Sequence, residues 1–344
     1  MAKGIAILAL VLAAAAGAGY YWLQVQFLQP GPAAQAVRVD VEPGSSVRSV
    51  LASLHERGAL LAPRPIELYL RLHGRHLKIK AGTYEIRAGA SAAEVVDLLQ
   101  SGRVILEALT IVEGSTFAEL RRALAGDPAV LTTLAGKSDA EVMAAIEHPE
   151  EFPEGRFFPD TYRFAARTTD VEILKLAYAS MQGVLAEVWN ERAANLPLPT
   201  PYDALILASV VEKETGLAAE RPRIAGVFTA RLRLGMRLQS DPTVIYGLGE
   251  HYDGEIHTRD LTTDTPYNTY TRVGLPPTPI ALPGREALRA AVHPEETGDL
   301  YFVATAAGDG AHHFSKSLEE HNAAVREYLQ RLRRAAPASG AKRP

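Results

Sequence analysis

Two glutamates, Glu212 and Glu214, close the stretch "LASVVEKETG" at residues 207–216, after a run with almost no polar side chain. Asp203 reads as an N-cap and Gly216 as a C-cap, so the run "YDALILASVVEKETG" should form a helix of about 12 residues. At 3.6 residues per turn, Leu207, Val210, Val211 and Glu214 fall on one stripe. Glu212 lies about 200° round the helix from Glu214, so the two acids do not form a dyad. Glu214 follows the buried face into the last turn, where the helix dipole and apolar neighbours both disfavour the anion. A carboxyl kept protonated near neutral pH is what a general acid needs to protonate a glycosidic oxygen. The competing reading is a frayed helix end with both glutamates in water.

A hydrolase of sugars would need a second carboxylate about 5 to 9.5 Å away. Asp241 in "LQSDPTVIYG" supplies the other acid near this motif, although Ser-Asp-Pro also reads as the cap of a helix or turn. The stretch "FPEGRFFPDTYRF" (152–164) is too rich in proline and glycine for a helix interior and reads as an ordered aromatic loop. Its rings either cap a core or, with Phe158, Asp160, Tyr162, Glu154 and Arg156, bind sugar faces and hydroxyls. The "YNTY" segment (Tyr267, Asn268, Tyr270), Tyr246 and the proline-rich loop 275–284 are candidates for further walls of a groove. His312 and His313 adjoin, but no HExxH motif, no cysteine and no second carboxylate at a ligand spacing accompanies them, so no metal and no cofactor is expected. Serine hydrolase, Walker A and dinucleotide signatures are missing.

These residues need elements to position them. The chain has 344 residues, 47% hydrophobic and 22% charged, enough for two modest domains. Its net charge of -4 provides no basic field, which argues against nucleic acid. Between Lys3 and Arg38 no residue is charged, and "GIAILALVLAAAAGAGYYWL" is long enough to cross a bilayer. Lys3 predicts a cytoplasmic N-terminus, with Tyr20, Tyr21 and Trp22 as an aromatic belt at the far interface. Ala-Gly-Ala at 16–18 offers the alternative of a cleaved signal peptide. After a Pro, Gly and Ala linker, a strand, turn and helix order occurs three times, beginning at Val37, Gly82 and Glu107, with capping boxes Ser91/Glu94 and Thr116/Glu119 in the second and third. Such units serve either as scaffold or as recognition modules, and the arrangement resembles the LysM-like part of envelope glycan enzymes. The expected fold is α+β, divided into an anchor and linker start at 1–30, an α/β module at 37–127, an α-rich domain at 128–330 and a frayed basic tail at 331–344.

Three segments carry a wider resemblance: "VEKETGLAAERPRIAGVFTARLRLGMRLQSDPTVIYGL", "DTPYNTYTRVGLPPTPIALPGREALRAAVHP" and "YFVATAAGDGAHHFSKSLEEHNAAV". Together with "PEGRFFPDTY" and the anchor, they resemble the endolytic murein transglycosylases of the MltG or YceG-like family, over nearly the whole chain. The resemblance implies a lysozyme-like catalytic domain that cuts the MurNAc-GlcNAc β-1,4 bond inside nascent glycan strands, leaving 1,6-anhydroMurNAc ends and setting strand length. In the related soluble enzymes a Glu followed by Ser closes a buried helix; Glu214 and Thr215 match that pair. "GMRLQ", ending at Gln239, and Tyr267 with Asn268 are looser echoes of two further motifs. Catalysis is thus expected of Glu214, with Glu212 as a possible support and Gln239, Asp241, Tyr246, Tyr267, Asn268, Tyr270, Phe158, Asp160 and Tyr162 as substrate contacts. The implied partners are peptidoglycan strands, the inner membrane and cell-wall synthases, with the catalytic domain periplasmic. A hydrolytic muramidase, a non-catalytic peptidoglycan-binding scaffold and a membrane-anchored adaptor of wall synthesis stand as alternatives, separated by whether products carry anhydro ends, reducing ends or do not form.

Overall fold

The computed structural model describes residues 2–335, apart from Pro43, Ala306 and Gly308. It is a mixed helix and strand chain, and it divides into two compact units. The first holds the chain up to Ala108 with Ala129–Leu131 and Arg163–Thr168; the second holds Leu109–Pro128, Thr132–Tyr162 and the chain from Thr169 onward.

The first unit opens with α1 (Ala2–Leu28), which is apolar all round and exposed along most of its length. Its 27 residues span about 40 Å. Only its last turns are covered, where Leu23 and Phe27 are buried and Phe27 stacks on Tyr69 at 4.1 Å. There follow β1 (Val37–Val41), α2 (Val47–Glu56), α3 (Pro63–Leu72), β2 (Gly82–Ile86), α4 (Ala92–Ser101) and the start of β3 (Leu106–Thr110). β1 and β2 pair antiparallel with Val39 opposite Tyr84, and alternate residues Val39, Val41, Tyr84 and Ile86 face a core completed by Leu51, Leu54, Val95, Val96 and Leu99. Ser46 caps α2, and Ser91 with Glu94 forms the expected box on α4. The segment read as a linker is tied down: Gly31 N–H donates to Gly89 O and Gly89 N–H to Ala33 O.

Later elements are α5 (Phe117–Gly126), β4 (Val130–Leu131), α6 (Asp139–Ala145), β5 (Thr161–Ala165), β6 (Thr168–Thr169), α7 (Asp170–Asn190), α8 (Pro201–Glu214), α9 (Arg221–Arg233), α10 (Asp241–Leu248), α11 (Thr258–Thr262), α12 (Arg285–Val292), β7 (Tyr301–Ala304), β8 (His312–Ser315) and α13 (Leu318–Ala335). β3 pairs with β5, β4 with β6, and β7 with β8. The third strand and helix copy does form, and Thr116 with Glu119 boxes α5. Residues 109–127, however, belong to the second unit rather than to a 37–127 module, because the buried Phe117 of α5 stacks on Phe157 at 5.1 Å.

α8 is the axis of the second unit. Every residue from Ala204 to Val211 is buried, as expected of a helix that is apolar on all faces, and α7, α9, α10 and α12 pack against it. Its N-cap is Thr200, boxed with Asp203 as the third helical residue, and its C-cap is Thr215. Asp203 and Gly216 therefore do not cap it; a threonine just ahead of Pro201 supplies the cap with proline in the first turn. The end of the aromatic stretch is strand β5, not loop. Of the basic tail, 331–335 continue α13, and the rest lies outside the described residues.

Candidate active site

Glu214 ends α8 beside a cleft of about 430 Å³ in the second unit. Leu207, Val210 and Val211 on the same stripe are fully buried, so the carboxyl is carried out of the core at the rim of the cleft. Desolvation is the main cause that pushes its pKa up to about 7, with the Asp241 carboxylate adding to it. The carboxyl accepts a hydrogen bond from Ser240 Oγ to Oε2 at 2.8 Å.

Ser240 is itself fixed. It is wholly buried, its N–H donates to Thr269 Oγ1 at 3.0 Å, and its carbonyl accepts from Thr243 Oγ1 at 2.7 Å. It precedes α10 as N-cap residue yet makes no capping bond; its hydroxyl donates to Glu214 instead. Gln239 has a positive φ of 52°, uncommon away from glycine; its N–H donates to Thr269 O. That turn sets the 238–241 segment against the end of α8.

Arg231 on α9 braces the same segment. It is buried, and its guanidinium donates to the carbonyls of Leu300 (2.7 Å) and Leu238 (2.7 Å). Asp241 begins α10 and accepts from Tyr270 Oη at 2.6 Å. Burial and that bond push the Tyr270 hydroxyl up, so it remains a donor.

Of the residues expected from the sequence, Glu214, Gln239, Asp241 and Tyr270 line this cleft together. The others lie elsewhere. Asn268 is 1% exposed, and its amide is spent within its own loop: Nδ2 donates to Asp260 O and Thr263 O, while Oδ1 accepts from Tyr270 N. It shapes the loop that presents Tyr270. Tyr267 Oη bonds Thr278 Oγ1, its ring meets Tyr246 edge-on, and Tyr246 Oη donates to Glu154. Phe158 packs on the core, Tyr162 is buried with its hydroxyl on Phe158 O, and Asp160 is exposed and caps Thr161 N–H. The aromatic stretch is thus core and turn, with Phe157 at its centre. Residues 280–282 of the proline-rich loop are buried, and Ile280 N–H donates to Ser209 Oγ of α8.

Glu212 is neither solvated nor in the cleft. Its side chain is 5% exposed, pairs with Arg221 at 2.9 Å and accepts from Gly284 N–H at 2.9 Å. The helix-face argument separates it correctly from Glu214, but its surroundings are built by residues 9 and 72 positions away. Ser240, Arg231, Tyr301, His312, His321 and Asn322 also meet at the site or line the cleft and were not anticipated there. The serine ahead of Asp-Pro was the available signal for Ser240; the others come from elements far along the chain. His312, for which the sequence offered no second carboxylate at a ligand spacing, binds Glu220 through Nδ1 at 2.7 Å. Among the described residues, no group of three or more His, Cys, Asp or Glu is disposed to hold a metal ion.

The YceG-like family model matches residues 39–327. The chain belongs to the YceG-like family. The resemblance read from its motifs is thereby borne out. Among the relatives of this YceG-like chain, the endolytic murein transglycosylase of Bacillus subtilis (strain 168) is 30% identical over 317 residues, covering 85% of both chains. The Streptococcus pneumoniae (serotype 2, strain D39) protein of the same name is 29% identical over 326 residues, 85% of this chain and 58% of that longer relative. A 2.6 Å crystal structure of a YceG-like protein from Listeria monocytogenes superposes with a TM-score of 0.53 at 29% identity, over 84% of this chain and 99% of that one.

Proposed function

We propose that this YceG-like chain is an endolytic peptidoglycan lytic transglycosylase in which Glu214 is both acid and base. The observation that carries this reading is the Glu214 carboxyl, desolvated, held by Ser240 and open to a sugar-sized cleft. Protonated, it gives its proton to the O4 leaving oxygen as the MurNAc C1–O4 bond breaks. The resulting carboxylate then takes the proton of the same muramyl residue's C6 hydroxyl as O6 closes on C1. No water enters, the products are a free GlcNAc 4-hydroxyl and a 1,6-anhydroMurNAc end, and Glu214 regains its proton. Gln239, Asp241 and Tyr270 line the sugar's path, and Arg231 holds the 238–241 segment in place. Names of relatives that cover most of the chain support this activity. Cutting within nascent strands sets their length.

Asp241 in the same cleft favours a second reading, a hydrolytic muramidase with two carboxylates. Mass spectrometry of digested glycan strands separates the two, since anhydro ends are lighter than reducing ends by one water. Reducing ends would overturn the transglycosylase reading, and undigested strands with wild-type protein would overturn both.

The β1-α2-α3-β2 order supports a LysM-like glycan-binding module, and the helices around α8 support a lysozyme-like catalytic domain. α1 is long and apolar enough to span a membrane, with Lys3 on one side and Tyr20 to Trp22 near the other. We place the N-terminus in the cytoplasm and the catalytic unit in the periplasm, within reach of nascent strands and their synthases.

A further inference from the structure

Tyr301, His312, His321 and Asn322, from β7, β8 and α13, line the cleft together with Glu214, and the acid–base cycle uses none of them. His321 is the unusual member. Its backbone N–H makes an ordinary helical bond to Ser317 O, and its ring stacks on Tyr301 with centroids 5.2 Å apart and planes 25° apart. Its Nδ1 is buried without a hydrogen-bond partner. Such atoms are few in folded proteins and call for an explanation. A neutral imidazole carries one proton. On Nδ1 that proton would be an enclosed donor with no acceptor, which folded chains tolerate less than an unused lone pair. The proton therefore sits on Nε2, which is not sealed in this way. Desolvation, with the Arg231 cation as a lesser cause, holds the ring below the usual imidazole range, so it is neutral at pH 7. An N–H on the wall of the cleft then waits for an acceptor.

We propose that His321 contacts the substrate, its Nε2–H donating to the acetamido carbonyl of the sugar beside Glu214 while the Asn322 side chain accepts from the acetamido N–H. This rests on the glycan reading above. A neutral donor suits a neutral acceptor, and the acetamido carbonyl is the strongest neutral acceptor that an N-acetylated strand offers. Asn322 supplies the complementary acceptor, and the Tyr301 ring fixes the imidazole plane.

The test uses full-length protein in nanodiscs, in a Glu214→Gln background that cannot turn over, titrated with peptide-free glycan strands. His321→Phe keeps the stacked ring and removes the donor; His321→Gln keeps a donor. His321→Phe should raise Kd at least about tenfold at an unchanged Tm, and His321→Gln should recover most of that loss. De-N-acetylated strands should bind the parent weakly, with no further loss on His321→Phe, since interacting groups fail to add. Equal affinity of His321→Phe and parent for N-acetylated strands overturns the contact, as does a tenfold loss that persists on de-N-acetylated strands. A Tm lowered alike in both variants assigns His321 to packing instead and also overturns it. Failure of wild-type protein to produce anhydro ends would refute the reaction but leave this binding comparison standing.

Discussion

Glu214→Gln should stabilise the second unit, and by an amount that depends on pH. The Glu214 carboxyl titrates near 7 instead of at its ordinary 4.5 because burial penalises the anion. Between about pH 4.5 and 7 the unfolded chain has released this proton and the native one has not, so stability falls with rising pH across that window and is level above it. The displacement corresponds to about 3 kcal/mol. Glutamine has a similar shape, its carbonyl can still accept from Ser240 Oγ, and it does not ionise. The advantage of the variant over wild type should therefore be about 2.5 kcal/mol larger at about pH 8 than at about pH 5. Glu154, also raised to about 7 by burial, titrates in both proteins and cancels. Urea unfolding at the two pH values, followed by Trp189 fluorescence with Trp22→Phe in both proteins, reads the difference, since the chain has two tryptophans. A difference that is the same at both pH values would refute the claim that Glu214 is desolvated in the native state.

Activity should follow the same group: in the general-acid role proposed for it, Glu214 must start protonated, so kcat/KM on glycan strands should fall about tenfold per pH unit above about 7. Glu212→Gln should act in the opposite sense to Glu214→Gln, because it leaves the 12%-exposed Arg221 side chain without its anion. A loss of about 3 kcal/mol, read as a Tm lower by roughly 6–12 °C, is expected. Gly226→Ala should destabilise strongly, since a Cβ there would lie 2.1 Å from Glu295 O, whereas Gly216→Ala, with nothing within 4 Å, should melt like wild type. Calorimetry of the pair checks this.

What was legible in the sequence was local. The apolar run of α1, the boxes Ser91/Glu94 and Thr116/Glu119, and the stripe that ends in Glu214 each lie within a few residues, where helix geometry and hydrogen-bond valence decide the outcome. The fate of the aromatic stretch was not local. A phenylalanine serves a sugar face or a core equally well, and the neighbours of Phe157, namely Phe117 and Tyr178, decided for the core. Asn268 sits in the motif singled out for substrate, but the loop's own carbonyls took its amide. Apart from Arg231 and Leu238, the remaining part of the cleft lining comes from the β7–β8 hairpin and α13, which no spacing around Glu214 could point to.

The end of α1 bears on what kind of attachment the N-terminal segment provides. Leu23 and Phe27 are buried in the first unit, Tyr20 Oη bonds His73 Nε2 at 3.1 Å, and Gly31 and Ala33 are hydrogen-bonded to Gly89. An unstructured leash would let the β1–β2 module swing through a wide solid angle. A helix gripped over its last two turns acts as a mast instead: turning α1 about its axis turns the module with it, so whatever orients that helix also sets the module's heading.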